Sequence, residues 1–367
     1  MDPLTNRLYM SHDVISTKHQ IVRGPHMNTI TYGIDLAKNV FQVHAVNTDG
    51  EIILKRKLRR NEVLSFFAKK EIGLIGIEAC GGSHYWAREL TNLGFTVRMM
   101  SPQFVKPYIK GNKNDANDAE GICEAVTRPN MKFVTVKNTG QQDILMLHRI
   151  RTQRIKQRTA LSNQTRGLLS EYGIVIPVGI RNVRKHLIDI LTDVDEKRLS
   201  EFVKPHFNSL YEELLHLDDL TQTIDKALKA YFNQNEACQR LASLPGISII
   251  TATALIGYLG DISNFKNGRE LAAYLGLVPR QHSSGGRDLL LGISKRGDSY
   301  LRTLLIHGSR SVLKVAGTKK DKDSLWLVDL QLRRGYNKAA VAQANKTARR
   351  VWAILSNETR YEVKQAA

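Results

Sequence analysis

"NTITYGIDLAKNVFQVHAVNTDGEIILKRKL", residues 28–58, decides how the chain begins to fold. Apolar residues gather around Ile34, then at Phe41, Val43, Ala45 and Val46, then at Ile52, Ile53 and Leu54. Asn47-Thr48-Asp49-Gly50, between the last two groups, is a hairpin signal. The stretch predicts three strands in a meander. Downstream the pattern alternates. "NEVLSFFAKK" (61–70) predicts a short helix, and "IGLIGIEA" (72–79) a buried strand bounded by Gly81 and Gly82. "SHYWARELTNLG" (83–94) predicts an amphipathic helix, and "FTVRMMS" (95–101) a further strand. Asn114 can cap a helix from Asp115 to about Thr127. A meander followed by alternating strands and helices indicates an α/β domain over residues 28–135.

The chain then changes character. From Gln141 to Tyr172 no proline interrupts a long basic helix carrying Arg149, Arg151, Arg154, Lys156, Arg158 and Arg166. After a break at "YGIVIPVGI", Leu210, Leu214, Leu217, Leu220, Ile224 and Leu228 recur at steps of three and four. That seam is heptad-like. It serves either an intramolecular helical hairpin or a dimer or tetramer contact, so residues 140–235 read as a helical, coiled-coil-like linker or oligomerisation region. Residues 240–357 read as mainly helical, with a helix-hairpin-helix-like "LPGI" turn (244–247) and one polar, Gly-rich loop. Residues 1–27 read as a disordered leader, with Met27 a second usable start, and 358–367 as a tail.

Charge points to partners. Across 367 residues, 54 Lys and Arg face 35 Asp and Glu, a net charge of +19. Such an excess is the electrostatic footprint of a nucleic-acid partner, with an anionic membrane surface as the rival. No apolar run approaches the length of a transmembrane helix, which argues against a membrane span. The three cysteines, Cys80, Cys123 and Cys238, form no CxxC pair. That argues against a disulfide framework or a cysteine zinc site, and for a reducing compartment.

Within this basic chain four acids stand out. Asp35 sits in the apolar strand "YGIDLA", and Glu78 ends the strand "LIGIEA". Asp115 and Asp118 lie three residues apart in "GNKNDANDAEGI" (111–122), with Lys113 just upstream to orient phosphate. Like charges at that helical spacing repel by a few tenths of a kcal/mol unless a cation intervenes. Adjacent strands can bring Asp35 and Glu78 together, and a helix puts Asp115 and Asp118 on one face. Mg²⁺ (or Mn²⁺) prefers such oxygen ligands. Two such ions can stabilise both oxygens of a phosphoryl displacement. Two further features are less specific. The turn at Gly246 is either a sequence-independent phosphate contact or an ordinary helix–helix turn. "PRQHSSGGRDLLLGISKRGD" (279–298) sets serines beside glycines, with Arg280, His282, Arg287, Lys295 and Arg296 nearby. A serine there needs activation to act as a nucleophile. Otherwise the segment is a flexible basic loop. Arg154, Arg158, Gly246, Arg280, Arg287, Lys295 and Arg296 are candidate nucleic-acid contacts beside Lys113.

"YGIDLAKNVFQVHAV" (32–46), "IGIEACGGSHYWARELTNLG" (75–94) and "KNDANDAEGICEA" (113–125) resemble the RuvC-like domain of DEDD-type insertion-sequence transposases, the family of the Piv-like invertases. The segment 241–305 resembles that family's C-terminal transposase domain, and the resemblance spans about residues 28–357. It implies an RNase H-like (RuvC-like) α/β fold in which Asp35, Glu78, Asp115 and Asp118 hold a divalent metal. It also implies a catalytic serine at Ser284, before Gly285, with Ser283 and Ser294 as alternatives. That serine would form a phosphoserine link to DNA. A non-coding bridge RNA would pair with the element ends and the target, and a tetramer would form composite active sites. The expected location is cytoplasmic, associated with the bacterial nucleoid. The leader before Met27 departs from the family's usual start. Two other readings use the same residues: a Holliday-junction resolvase or other nuclease without serine chemistry, and a non-catalytic nucleic-acid-binding protein.

Overall fold

β1 (Thr31–Leu36), β2 (Val40–Val46) and β3 (Ile52–Arg59) form the meander, joined antiparallel. The computed structural model describes residues 29–109, 114–284 and 287–363, so the segment 1–28 and Lys113 lie outside it. α1 (Val63–Phe67), β4 (Leu74–Glu78), α2 (Ser83–Asn92) and β5 (Thr96–Met100) follow. α3 (Pro102–Val105), α4 (Asp115–Val126) and β6 (Phe133–Val134) complete the first unit, which ends at Val136. The sheet order is β3-β2-β1-β4-β5-β6, with β4 parallel to both β1 and β5.

Alternation decides which side chains face which layer. Tyr32, Ile34, Ile75 and Ile77 are buried in a core with Val63, Phe67, Trp86 and Leu90, on the side covered by α1 and α2. Tyr32, Phe67 and Phe95 meet there edge to face, at 5.5–5.8 Å between ring centroids. The intervening positions are Gly33 and Gly76, and across them lies α4. A Cβ on Gly33 would stand 2.2 Å from the Ala119 carbonyl oxygen and 2.5 Å from the Cys123 nitrogen. One on Gly76 would stand 2.8 Å from Val126 Cβ. The glycines let a helix backbone lie against a sheet backbone, and Ile122, Ala125, Val126 and Met100 seal the contact.

The second unit begins with α5 (Thr139–Ser170), α6 (Ile180–Thr192) and α7 (Lys204–Gln234). At 1.5 Å per residue α5 is roughly 48 Å long. The leucine seam turns inward. Leu214, Leu217, Ile224 and Leu228 are buried, and the first two share a cluster with Leu161 and Leu169 of α5. Arg151–Asp225 and Arg158–Asp218 ion pairs, at 2.5 and 2.6 Å, fix the antiparallel register. Helix α6, which the sequence reading did not separate from the break before it, adds Arg184 to Asp218 at 2.8 Å.

α8 (Glu236–Ala242), α9 (Ile249–Leu259), α10 (Gly268–Tyr274), α11 (Ser299–Ala316), α12 (Lys322–Arg334) and α13 (Tyr336–Asn357) build the rest. The expected loop at 279–298 is instead largely an antiparallel hairpin, β7 (Pro279–Ser284) and β8 (Arg287–Ile293). Gly-Gly between two runs that can extend is a hairpin signal, and the basic and serine content of the segment masked it. His148 of α5 is buried between Thr253 of α9 and Tyr300 of α11. Thr253 donates to the Ile249 carbonyl, so Nε2–H of His148 donates to Thr253 while Nδ1 accepts the Tyr300 hydroxyl. Among the described residues no helix is long and apolar enough to cross a membrane.

Two predictions follow from this packing. Gly33→Ala presses a methyl against α4 backbone atoms that cannot rotate aside, and overpacking of this kind costs about 1–3 kcal/mol. Its denaturation midpoint should fall, while that of Gly81→Ala, where a Cβ meets nothing within 4 Å, should hold. The second concerns His148, whose burial pushes its pKa down to about 4 from the ordinary 6.5. The unfolded chain protonates first, so this contribution is complete above pH 6.5 and fades as pH falls toward 4. Spread over that window it amounts to roughly 3 kcal/mol. His148→Gln should flatten the stability–pH slope between pH 7 and 5, measured by urea unfolding.

Candidate metal centre

Asp35 is the penultimate residue of β1 and Glu78 the last of β4. The parallel register pairs Ile34 with Ile77, so the two acids occupy the next positions along neighbouring strands. Both follow a glycine by two residues, which places them on the α4 face. On the helix side, the Asn114 side chain accepts a hydrogen bond from the Ala116 N–H at 3.1 Å and fixes where α4 starts. Asp115 and Asp118 fall in its first turn. The close helix–sheet contact then gathers Asp35, Asp115 and Asp118, with one carboxylate oxygen from each inside 4.8 Å of the others. Glu78 is not in that trio but responds to it. Burial, then the charges of Asp35 and Asp118, raise its carboxyl above the usual range.

Magnitudes show why this arrangement would favour a cation. Each like-charge pair at this separation costs roughly 1 kcal/mol in water and up to about 3–4 kcal/mol at a half-buried site. The N-terminal dipole of α4 returns only about 0.3–1 kcal/mol per acid. Three such pairs exceed that, so a cation placed among these oxygens would be favoured. The donors are all carboxylate oxygens, the set suited to a hard divalent ion such as Mg²⁺ or Mn²⁺. Cys80 lies close by, its thiol raised by burial and then by the charges of Glu78 and Asp35.

The other predicted residues spread more widely. Ser284 ends β7, paired in register with Arg287 across the hairpin; the side chains of both lie outside the described residues. Ser283 Oγ accepts from the Gln281 amide at 2.8 Å, and Ser294 Oγ from the Arg296 N–H at 3.4 Å. Arg280, Lys295 and Arg296 are exposed on this hairpin or at its base. Arg154 donates to Gln157, whereas Arg158 is matched to Asp218 inside the helical hairpin. Gly246 is packed on α11: a Cβ there would stand 2.7 Å from the Gly308 carbonyl oxygen.

One feature of the first unit escaped the sequence reading. A cleft of about 650 Å³ opens at the same end of the sheet as the acids, lined by Asn39, Arg59, Arg60, Asn61, Tyr85 and Trp86 among others. The Arg60 guanidinium lies 5.1 Å from the Trp86 ring centroid. The signal was available as "RRN" and "YW", but their meeting is tertiary.

Fold and cluster together define a class: an α/β unit that collects carboxylates at the C-terminal ends of parallel strands, joined to a largely helical unit. A transposase family model of the DEDD, IS110 type matches residues 32–174, and the transposase IS116/IS110/IS902 family model matches residues 238–323. A probable family 20 transposase of Pseudomonas aeruginosa is 46% identical over 91% of this chain and 99% of its own. The transposase for insertion sequence element IS1111A of Coxiella burnetii is 45% identical over 90% of each chain. A putative transposase of Sinorhizobium fredii is 40% identical over 90% of this chain and 85% of its own. The chain belongs to the IS110/IS116 family of insertion-sequence transposases.

A cation bound by the acids should stabilise the fold. At a hundredfold excess over its dissociation constant an ion adds about 2.7 kcal/mol. Mg²⁺ or Mn²⁺ should therefore raise the melting temperature of the full chain, and Asp115→Asn and Asp118→Asn should each lose that rise. An equal rise in all three proteins would place the ion elsewhere.

Proposed function

We propose that this protein is a DNA transposase of an insertion sequence, cutting and exchanging strands by metal-dependent phosphoryl transfer. The observation that carries the reading is the convergence of Asp35, Asp115 and Asp118 within 4.8 Å at the end of a parallel pair of strands, in a chain of this family. The first unit, residues 28–135, is taken as RNase H-like (RuvC-like), an assignment supported by three antiparallel strands leading into two parallel ones. Residues 140–235 would serve as the helical linker and 240–357 as the C-terminal transposase domain.

In this reading Asp35, Glu78, Asp115 and Asp118 hold Mg²⁺ or Mn²⁺, which supplies charge stabilisation for the phosphoryl oxygens when bound. Ser284 is the nucleophile. Its Oγ bonds to phosphorus while one bond from phosphorus to a deoxyribose oxygen breaks. The hydroxyl proton is lost, and the departing oxygen takes one up. DNA ends and target are the substrates, a non-coding bridge RNA selects them, and the working form is a tetramer built from dimers, in the bacterial cytoplasm. Lys113, Arg154, Arg280, Arg287, Lys295 and Arg296 contact nucleic acid, with Gly246 offering backbone to phosphate. Arg158 contributes chiefly by bracing the helical hairpin through Asp218.

The test is a cleavage assay with cognate element ends, guide RNA and Mg²⁺. The wild-type chain should leave a covalent protein–DNA adduct, and Ser284→Ala should abolish the adduct. Asp115→Asn should abolish both adduct and cleavage, a loss of at least about a hundredfold where a charge-stabilising group is removed. Cleavage that survives Ser284→Ala but not Asp115→Asn would mark a nuclease of the resolvase kind and overturn the serine mechanism.

A further inference from the structure

The Arg60–Tyr85 cleft is built for a planar ligand that carries negative charge. Its position comes from the chain's own path. Asn39 stands in the β1–β2 turn, four residues after Asp35, and Arg59 ends β3. Tyr85 and Trp86 lie in the first turn of α2, which follows the strand that ends in Glu78. All these segments meet at the end of the sheet where the acids gather. Arg60 is tied down there: its N–H donates to the Asn39 carbonyl at 2.9 Å, and its guanidinium reaches the Lys38 carbonyl at 3.4 Å. The same guanidinium covers the Trp86 ring. Tyr85 meets Trp86 edge to face at 5.1 Å, yet its side chain remains 41% exposed.

Each feature has a plain alternative. Lysines and arginines on an edge strand such as β3 deter pairing with other chains, which accounts for exposed Lys57. It does not account for Arg60, which leaves the strand to roof a tryptophan beside an exposed tyrosine. An apolar small molecule needs no pair of arginines. A duplex keeps its bases stacked inside and cannot enter. A single unpaired nucleotide suits the volume, which falls within the roughly 300–1,000 Å³ of small-ligand pockets. It also suits the chemistry: an aromatic face for the base, arginines for phosphates, and the Asn39 and Asn61 amides for base edges.

We infer that this cleft holds an unpaired nucleotide of the DNA strand whose phosphate is presented to Asp35, Asp115 and Asp118. Tyr85 stacks on the base, and Arg59 and Arg60 meet the flanking phosphates. The assignment to DNA rests on the reading of the carboxylates as a DNA-cleaving site: the cleft lies on the α1–α2 face and the acids on the α4 face, at the same end of the sheet, so one strand passing around that end reaches both. The cleft thereby selects substrates that are single-stranded or melted next to the cut.

The test is equilibrium binding by fluorescence anisotropy, using the full chain without divalent metal so that nothing is cut. The probes are a blunt DNA duplex, the same duplex with a short single-stranded DNA tail, and a version with an RNA tail. Tyr85→Ala should weaken binding of the DNA-tailed duplex about five- to a hundredfold, with blunt-duplex binding unchanged. Tyr85→Phe should restore it, and an unchanged melting temperature should confirm that the exposed position is not structural. Equal weakening on blunt and DNA-tailed duplexes, or none, overturns the cleft as a nucleotide site. A loss confined to the RNA tail overturns the assignment to DNA. The Asp115→Asn chain should keep the tail preference. If it keeps the preference while the cleavage assay contradicts the metal mechanism, that mechanism fails and the cleft stands.

Discussion

The contact that most depends on single atoms is the approach of α4 to the sheet across Gly33 and Gly76. Glycine in a strand is unfavourable by about 0.5–1 kcal/mol relative to alanine, and here there are two. The return is position as well as burial. Ile122 and Val126 are wholly excluded from solvent, and full burial of each such side chain is worth roughly 1.5–3 kcal/mol. The helix that these residues anchor begins with the two aspartates. A methyl at either glycine would lift the helix, and the shift would reach Asp115 and Asp118 along a rigid rod. Mg²⁺ demands ligands near 2.0–2.1 Å in near-octahedral geometry, so a displacement that a core tolerates would dismantle a cation site.

Charge in this unit is sorted rather than averaged. The acids collect on the α4 face at one end of the sheet, where a counter-ion would relieve their repulsion. A little farther along α4, Glu120 has a different role. It takes Lys55 of β3 at 3.3 Å and lies 3.9 Å from the buried His44 ring. Burial pushes His44 down, Glu120 pulling the other way, so at neutral pH the ring adds no charge there. One helix therefore carries an acid matched by a lysine and, in its first turn, two acids gathered with Asp35. Elsewhere in the chain part of the positive excess is used internally, as in the Arg151–Asp225 and Arg158–Asp218 pairs.

What the sequence disclosed follows from how local each signal is. The extent of α4 was legible because Asn114 caps it and the apolar period sustains it; the reading of 115 to about 127 compares with Asp115–Val126. Asp35 and Glu78 stood out because charges are costly in strands that are otherwise apolar. The partners of the leucine seam were not legible, since a seam looks the same whether its complement is α5 or another chain. The pairing of Arg158, a candidate nucleic-acid contact, with Asp218 was not legible, because Asp218 lies sixty residues on and has no local signature. The Gly246–Gly308 contact and the Arg60–Trp86 stack are likewise products of tertiary packing.

The serine hairpin shows how the second unit can be firm at one end of a device and open at the other. At its base, a Cβ on Gly276 would stand 2.1 Å from the Arg296 carbonyl oxygen, and one on Gly297 1.9 Å from that of Tyr274. Ser294 N–H donates to the Val278 carbonyl, and Lys295 N–H to that of Gly276. Lys295 holds a left-handed backbone at φ 54°, a conformation that costs a non-glycine residue about 1–3 kcal/mol and persists only where its surroundings over-determine it. Here the surroundings are the end of α10 and the Arg302 guanidinium, which donates to the Leu275 and Arg296 carbonyls. Away from the base, Leu289 and Leu290 of β8 are 58% and 65% exposed. Simple surface loops do not carry strain at the root and bare leucines along the strand. Among the described residues, then, the hairpin is clamped at its root while the leucines of β8 stay bare.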